Sequence, residues 1–446
     1  MVNYECRMMK AEKTGIQNSA FSMQKPMLRI IRSRNKVELV RLERARQSSW
    51  AEAERVAQRI LDDVRRQGDR ALIRYARQLD GVDLRRNGFT VTPDEIRLAH
   101  GEVPGGFIAA LRVAARNIRA VARRQLPREW QAASGAGVKV GQIIRPLARV
   151  ACYVPGGRFP LPSTVLMSVI PAQVAGVPEV IVTSPRPAPA VLVAADVLGV
   201  KRIFRLGGVQ AVAAFAFGTQ SVPRADKIVG PGNRYVAAAK KLLAGECGID
   251  FVAGPSELVI VGARGNPGWI AADLLAQAEH DPDAVAMLIT PSRRLALQVQ
   301  AAVEEILAAL RPPAAAKALS RQGAIILARD LAEAAELANH LAPEHLMLLN
   351  DATKLLRRIH SAGSIFLGSY SAVAAGDYAS GTNHILPTGG AARLRGGLTA
   401  ADFVKTISVQ QLSRRGLERL KQAIVTLAGT EGLKAHAYSV ETRFRL

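Results

Sequence analysis

Two residues of the stretch "DLLAQAEHDPDA", Gln277 and His280, lie three positions apart and share a face if that stretch is helical. An amide oxygen and an imidazole nitrogen are donors that a borderline cation such as Zn²⁺ accepts. Asp273, one helical turn earlier, is a rival ligand on the same face. Asp377 in "GDYASGTNHILPT" adds a carboxylate, and His384 or His436 (in "EGLKAH") a further ring. Glu344 and His345 are adjacent in "APEHLMLL", at the start of an apolar run. Imidazole titrates near pH ~6.5, so this pair can move a proton at neutral pH and orient a water. Each feature also has a plain structural reading: "PEH" can cap a strand, and a histidine can be a satisfied core or surface residue. His100, His340 and His360 are read that way.

The cysteines are Cys6, Cys152 and Cys247, with no CxxC pair. That excludes a closed cysteine metal site, argues against a disulfide framework and fits a reducing compartment. A thiol nucleophile attacking an aldehyde is a rival mechanism, but neither Cys152 nor Cys247 sits in a nucleophile motif.

The chemistry-bearing residues must be positioned by the surrounding elements. Residues 28–130 are helical by period, rich in Arg, Glu, Ala and Leu. A strand is expected near "GVDLRRNGFTVTPDE", then a helix with Thr92 as N-cap and Pro93 in the first turn. From residue 149 the texture changes. "RVACYV", "EVIVTS", "RIFRL", "DKIVG" and "SELVIV" are short β-branched runs, separated by Gly or Pro turns and Ala-rich helices. "AVAMLIT", "AIILA", "EHLMLL" and "GSIFLG" form a second series. Strand, turn and helix in alternation mean parallel βαβ units. The fold class is α/β: two Rossmann-like parallel-sheet domains with helical N-terminal and C-terminal segments. The expected division is a disordered tail at 1–26, a larger α/β domain from 27–152 plus 255–400, a smaller Rossmann-like domain at 153–254, and a helical dimerisation segment at 401–446. Ligands of such sheets bind outside the carboxyl ends of strands. The turns to inspect are "YVPGGRFPLPS", "GGVQ", "GPGN" and "AGPSE". No GxGxxG with an acid ~20 residues on is present, so any dinucleotide is held differently.

Of the 446 residues, 60 are basic and 37 acidic, a net charge of +23. So basic a chain invites a nucleic-acid reading. The cations are dispersed among acids on helical stretches, without aromatic interleaving or a zinc-finger spacing, so no specific nucleic-acid partner is expected. Residues 1–26 lack the apolar core of a signal peptide. The most apolar stretch, from Val165, is broken by Pro171, Gly176 and Pro178 into helix, turn and strand. No membrane span and a cytoplasmic location are expected.

Seven segments, "YVPGGRFPLPSTVLM", "GGVQAVAAFAFGT", "DKIVGPGNRYV", "AGPSE", "LLAQAEHDPDA", "APEHL" and "GDYASGTNHILPT", occur in the order and spacing of the histidinol dehydrogenases. The resemblance runs from about Met27 to the C-terminus. It implies the NAD-linked oxidation of L-histidinol to L-histidinal and then to L-histidine, in histidine biosynthesis, by a homodimer with a shared active site. By this resemblance Gln277, His280 and Asp377 are zinc ligands, one Zn²⁺ per subunit, and His436 is the fourth from the other subunit. Glu344 and His345 are the acid–base pair. Ser256 and Glu431, with His345 and the metal ligands, bind substrate. Tyr153, Gln210 and Asn233 hold NAD. One departure is Gly396-Gly397-Leu398, where the family usually has Ser-Gly-Leu. Relatives on this scaffold oxidise other small amino- or sulfo-alcohols, which is the alternative substrate class. A basic nucleic-acid-binding protein is the alternative of another kind.

Overall fold

The structure is a computed structural model and describes residues 27–46, 50–156 and 160–445. The expectation of a disordered tail at 1–26, part of the "YVPGGRFPLPS" turn, and Cys6 lie outside the described residues.

The β-branched runs form strands. In chain order they are β1 (Arg29–Arg32), β2 (Trp130–Ala133), β3 (Val138–Pro146), β4 (Arg149–Tyr153), β5 (Glu179–Thr183), β6 (Arg202–Phe204), β7 (Lys227–Val229), β8 (Gly248–Ile249), β9 (Glu257–Val261), β10 (Val285–Thr290), β11 (Ala324–Leu327), β12 (His345–Leu348), β13 (Ser364–Leu367) and β14 (Val404–Leu412). Five of them make a parallel sheet ordered β6-β5-β4-β7-β8. Six make a second parallel sheet ordered β1-β11-β10-β9-β12-β13. With β1 set aside, both sheets follow one order: third, second, first, fourth and fifth strand of their own run. That is the order of doubly wound nucleotide-binding folds.

Both faces of each sheet are covered, as parallel sheets require. Alternation along β4 shows this: Val150 and Cys152 face the helices Phe107–Arg124, Pro162–Val174 and Pro189–Val197. Ala151 and Tyr153 face the opposite layer, built from residues 51–84 and the helices Gly208–Phe217 and Arg234–Leu243. In the six-stranded sheet Leu258 and Ile260 face the helices Pro267–Ala278, Arg293–Leu310 and Pro313–Gln322. Val259 and Val261 face Leu42 and the helix Leu331–Leu341.

Three expectations are corrected. First, the helices between residues 51 and 124, assigned to the larger unit, pack on the five-stranded sheet; only β1 and the helix Lys36–Arg46 join the six-stranded one. An amphipathic pattern shows that a face is buried, not against which sheet. β4, placed before the boundary at 152/153, is the central strand of the five-stranded sheet. Second, residues 401–446 are not wholly helical. β14 pairs antiparallel with β3, which pairs with β2, in a three-stranded sheet. Third, the helix at 162 runs through Pro171 and ends at Val174. The cap prediction holds: Thr92 and Glu95 form a reciprocal capping box with Pro93 in the first turn. Phe89–Val91 is tied to Phe204 and its neighbours by a single bridge at Thr90 rather than a full strand.

β14 is largely exposed along its length, and the helices Arg414–Thr430 and Lys434–Glu441 bury only Gly416, Ala428 and Val440. Trp130, Ile407, Leu427, Leu433 and Tyr438 are exposed on this C-terminal arm and the sheet it joins. Among the described residues no helix is long and apolar enough to cross a membrane.

One short crossing links the two sheets directly. β8 ends at Ile249 and β9 begins at Glu257, so residues 250–256 run from the carboxyl edge of one sheet to the amino edge of the other. The buried Asp250 anchors this crossing. Its Oδ1 accepts from Lys240 Nζ at 2.7 Å and its Oδ2 from the Gly230 N–H at 2.7 Å. Gly230 has φ +117°, and a Cβ there would lie 2.1 Å from the Tyr153 carbonyl oxygen. No other residue fits where the turn after β7 crosses the end of β4.

Candidate active site

The expected acid–base residues, Glu344 and His345, sit at the amino edge of the six-stranded sheet, where β12 lies beside β9. This departs from the carboxyl-edge rule that guided the sequence reading. His345 opens β12 and pairs in register with Leu258 of β9. One residue's backbone holds both chemical groups: the Glu257 N–H donates to Glu344 Oε2 at 2.8 Å, and its carbonyl accepts from His345 Nδ1 at 3.1 Å. With Nδ1 committed to a carbonyl, the ring's other nitrogen, Nε2, points at Asp377, 3.5 Å from Oδ1. Glu344 and His345 are both buried, with 3.6 Å between Oε2 and Nδ1. Burial pushes the Glu344 carboxyl up to about 7, against the pull of the neighbouring imidazole. Burial works to lower His345, but Glu344 and Asp377 outweigh it and raise the ring to about 9.

Asp377 lies in the short helix Val373–Tyr378, and the His384 ring donates from Nδ1 to its carbonyl at 2.8 Å. Burial works to raise the Asp377 carboxyl, but the His345, His384 and His280 rings hold it below the ordinary carboxylate value. His280, His345, His384 and Asp377 therefore converge from positions up to about a hundred residues apart. Gln277 is in the last turn of Pro267–Ala278, a helix started by Asn266, whose Oδ1 accepts from Gly268 and Trp269. The helix ends at Ala278, but Glu279 keeps helical geometry and carries the turn on to His280. His280 is tied by its N–H to the Gln277 carbonyl at 3.4 Å and is exposed. Gln277 is 2% exposed, and neither its amide nitrogen nor its oxygen has a hydrogen-bond partner among the described residues. A buried carboxamide without protein partners costs stability, and both of its polar atoms remain available to a ligand.

Asp273, the rival ligand, is accounted for otherwise. It accepts from the Val373 N–H, and burial raises it to about 6. His100 pairs with Asp196 and His340 with Glu43, as structural residues would. The thiols are excluded as nucleophiles: Cys152 and Cys247 are buried, and burial pushes them up to about 12 and about 11.

Ser256 is half-buried and its carbonyl accepts from the Val285 N–H, directly before Glu257. The adjoining Gly254 N–H donates to the buried Thr388 hydroxyl. Glu431 and His436 lie exposed on the C-terminal arm and make no side-chain hydrogen bond or ion pair with these residues. Among the described residues of one chain, no three of His, Cys, Asp and Glu come together closely enough to hold a metal ion. The single chain thus offers an amide, a carboxylate and rings, but not a full metal-binding set.

Tyr153, Gln210 and Asn233 are brought to the carboxyl edge of the five-stranded sheet, after β4, β6 and β7. The Tyr153 hydroxyl accepts from the Gly208 N–H at 3.1 Å, and burial pushes its phenol up to about 12. Gln210 is fully buried in the first turn of Gly208–Phe217 and donates from Nε2 to Asp80 at 2.8 Å. Asn233 caps Arg234–Leu243 through its Oδ1. The carboxyl edge of one sheet and the amino edge of the other thus adjoin through residues 250–256.

Sequence reasoning missed the Arg46–Glu257 pair. Both side chains are buried, and the guanidinium grips the carboxylate twice, at 2.8 and 2.7 Å. An acid heading the otherwise apolar run "ELVIV" was the available signal; its partner, 211 positions away, had none. Arg46→Met leaves Glu257 buried without a counter-charge and is expected to cost about 3–5 kcal/mol in chemical denaturation. Adding Glu257→Leu should recover much of that loss; no recovery would show that the pair does not act as a unit.

Comparisons with known proteins show the family. The histidinol dehydrogenase family pattern matches residues 42–444. A histidinol dehydrogenase of Syntrophotalea carbinolica is 50% identical over 393 residues, covering 86% of this chain and 91% of that protein. One from Methanothermobacter thermautotrophicus is 47% identical over 395 residues, covering 86% and 92%. The crystal structure of histidinol dehydrogenase from Elizabethkingia anophelis superposes with a TM-score of 0.85 at 35% identity, covering 94% of this chain and 95% of that one. The chain belongs to the histidinol dehydrogenase family, the NAD-dependent dehydrogenases of histidine biosynthesis.

Proposed function

We propose that this chain oxidises L-histidinol by way of L-histidinal to L-histidine, with two NAD⁺ reduced per substrate. The observation that carries the reading is the Glu344–His345 couple clamped by the Glu257 backbone, beside the Asp377 carboxylate. Gln277, with its partnerless buried amide, His280 and Asp377 are the residues that would hold zinc, with His436 of a second subunit as fourth ligand. Bound there, zinc supplies Lewis-acid chemistry and a grip on the substrate's imidazole and amino nitrogens. NAD⁺ serves as hydride acceptor, held by Tyr153, Gln210 and Asn233.

His345 takes the hydroxyl proton at Nε2 as hydride leaves the alcohol carbon. A cation on Asp377 would remove the carboxylate pull that raises the ring, leaving it neutral to accept, and the Nδ1–H bond to Glu257 keeps it aimed. Glu344, beside it, takes a proton from the water that adds to the bound aldehyde. The resulting hydrate gives up a second hydride to a second NAD⁺ and a hydroxyl proton to His345, which has by then released the first proton to solvent. Ser256 and Glu431 contact the substrate, and burial of the couple keeps bulk water from the aldehyde. The experiment is NADH yield from histidinol: two NADH per substrate, lost on chelation and restored by Zn²⁺, is the expected outcome. NADH from a different amino- or sulfo-alcohol alone would overturn the substrate assignment. A Cβ at 396 would meet no other group within 4 Å, so the Gly396 departure leaves the surrounding packing unchanged.

The exposed apolar residues of the C-terminal arm support a homodimer in which that arm reaches the neighbouring subunit. Mixing inactive His345→Asn and His436→Asn chains is then expected to restore part of the activity. In a hybrid dimer one site receives a native His345 and a native His436. No recovery despite proven subunit exchange would assign His436 to its own chain.

A further inference from the structure

The five-stranded sheet has the strand order of a dinucleotide-binding fold but lacks that fold's acidic residue. In such folds an acid at the end of the second strand accepts a hydrogen bond from a ribose 2′-hydroxyl. Here the second strand is β5, and it runs out into Ser184-Pro185-Arg186, with no carboxylate. A carboxylate arrives at the same edge from another part of the chain. Asp80 ends the helical segment Ala76–Asp80, and its Oδ2 accepts from Gln210 Nε2 at 2.8 Å. The Arg186 guanidinium and the Tyr153 hydroxyl are its charged and titratable neighbours. Its Oδ1 makes no hydrogen bond among the described residues, and the residue is only partly buried. Gln210 beneath it is fully buried. The amide therefore anchors the Asp80 carboxylate and leaves its second oxygen available at this edge.

We propose that Asp80 is the residue that reads the ribose hydroxyls of the dinucleotide and rejects a 2′-phosphate. This deepens the proposed function, since it rests on NAD⁺ binding at the edge formed by Tyr153, Gln210 and Asn233. Two vicinal hydroxyls can donate to a carboxylate, whereas a phosphate meets like charge. Arg186 stands ready to favour the phosphate once the carboxylate is gone.

The test is direct binding of NAD⁺ and of NADP⁺ to the zinc-loaded full chain, measured by calorimetry on wild type, Asp80→Asn and Asp80→Ser. Asp80→Asn keeps the shape and can still accept from Gln210, so an anchoring role alone would leave the preference unmoved. Loss of a charge-assisted hydrogen bond is expected to weaken NAD⁺ about tenfold to hundredfold, with NADP⁺ binding strengthened. An unchanged NAD⁺ to NADP⁺ ratio in both variants, while Tyr153→Ala and Asn233→Ala weaken NAD⁺, overturns the role of Asp80 but leaves the cofactor edge standing. If Tyr153→Ala and Asn233→Ala also leave NAD⁺ binding unmoved, the cofactor edge itself is wrong, and the proposal falls with it.

Discussion

His345→Asn is expected to lower turnover by about 10²- to 10⁴-fold, the span that a positioned general base contributes. The asparagine amide can still donate to the Glu257 carbonyl, so the loss comes from chemistry rather than collapse of the strand. It has no basic nitrogen to receive the alcohol proton. Bound zinc, measured by atomic absorption on the purified chain, should match wild type, because the proposed ligands are Gln277, His280, Asp377 and His436. Turnover within a few-fold of wild type would remove His345 from the acid–base role. A parallel loss of zinc would recast it as a ligand.

The complementary variant is His280→Asn. Its ring is exposed and bonded to no core residue, so folding should survive its loss. Zinc content is expected to fall below one per subunit, and turnover by about 10³-fold, the scale of several kcal/mol of Lewis-acid stabilisation. Excess Zn²⁺ should restore part of the activity of His280→Asn but none of that of His345→Asn. Equal zinc in both variants, without added metal, would count against the division of roles.

Most of the two parallel sheets was legible because β4 to β7 and β9 to β13 are short, branched and punctuated by glycine and proline. The three-stranded sheet was not. "VKTISVQQL" alternates too weakly to announce a strand, and its partner β3 lies more than 250 positions earlier. The helices of residues 51–124 announced a buried face but not its sheet. Among site residues, Glu344, His345, His280 and Asp377 were each visible as residue types. Their meeting at the amino edge was hidden, because it depends on β12 lying beside β9. Gln277 and His280 were legible from local spacing, because the turn that ends their helix still ties the His280 N–H to the Gln277 carbonyl. Arg46, Glu257 and Asp80 escaped notice for one reason: each acts through a partner supplied by a distant element.

The crossing at residues 250–256 makes chain length, rather than composition, the controlled quantity between the halves. Phe251, Val252 and Ala253 could be exchanged for other apolar residues with modest repacking. One inserted residue adds up to ~3.5 Å of extended chain. Reacting groups tolerate displacements of only ~0.5 Å. Both sheets would fold unharmed around such an insertion, yet hydride donor and acceptor would no longer be in range, so gaps in this stretch should be far rarer among working relatives than substitutions.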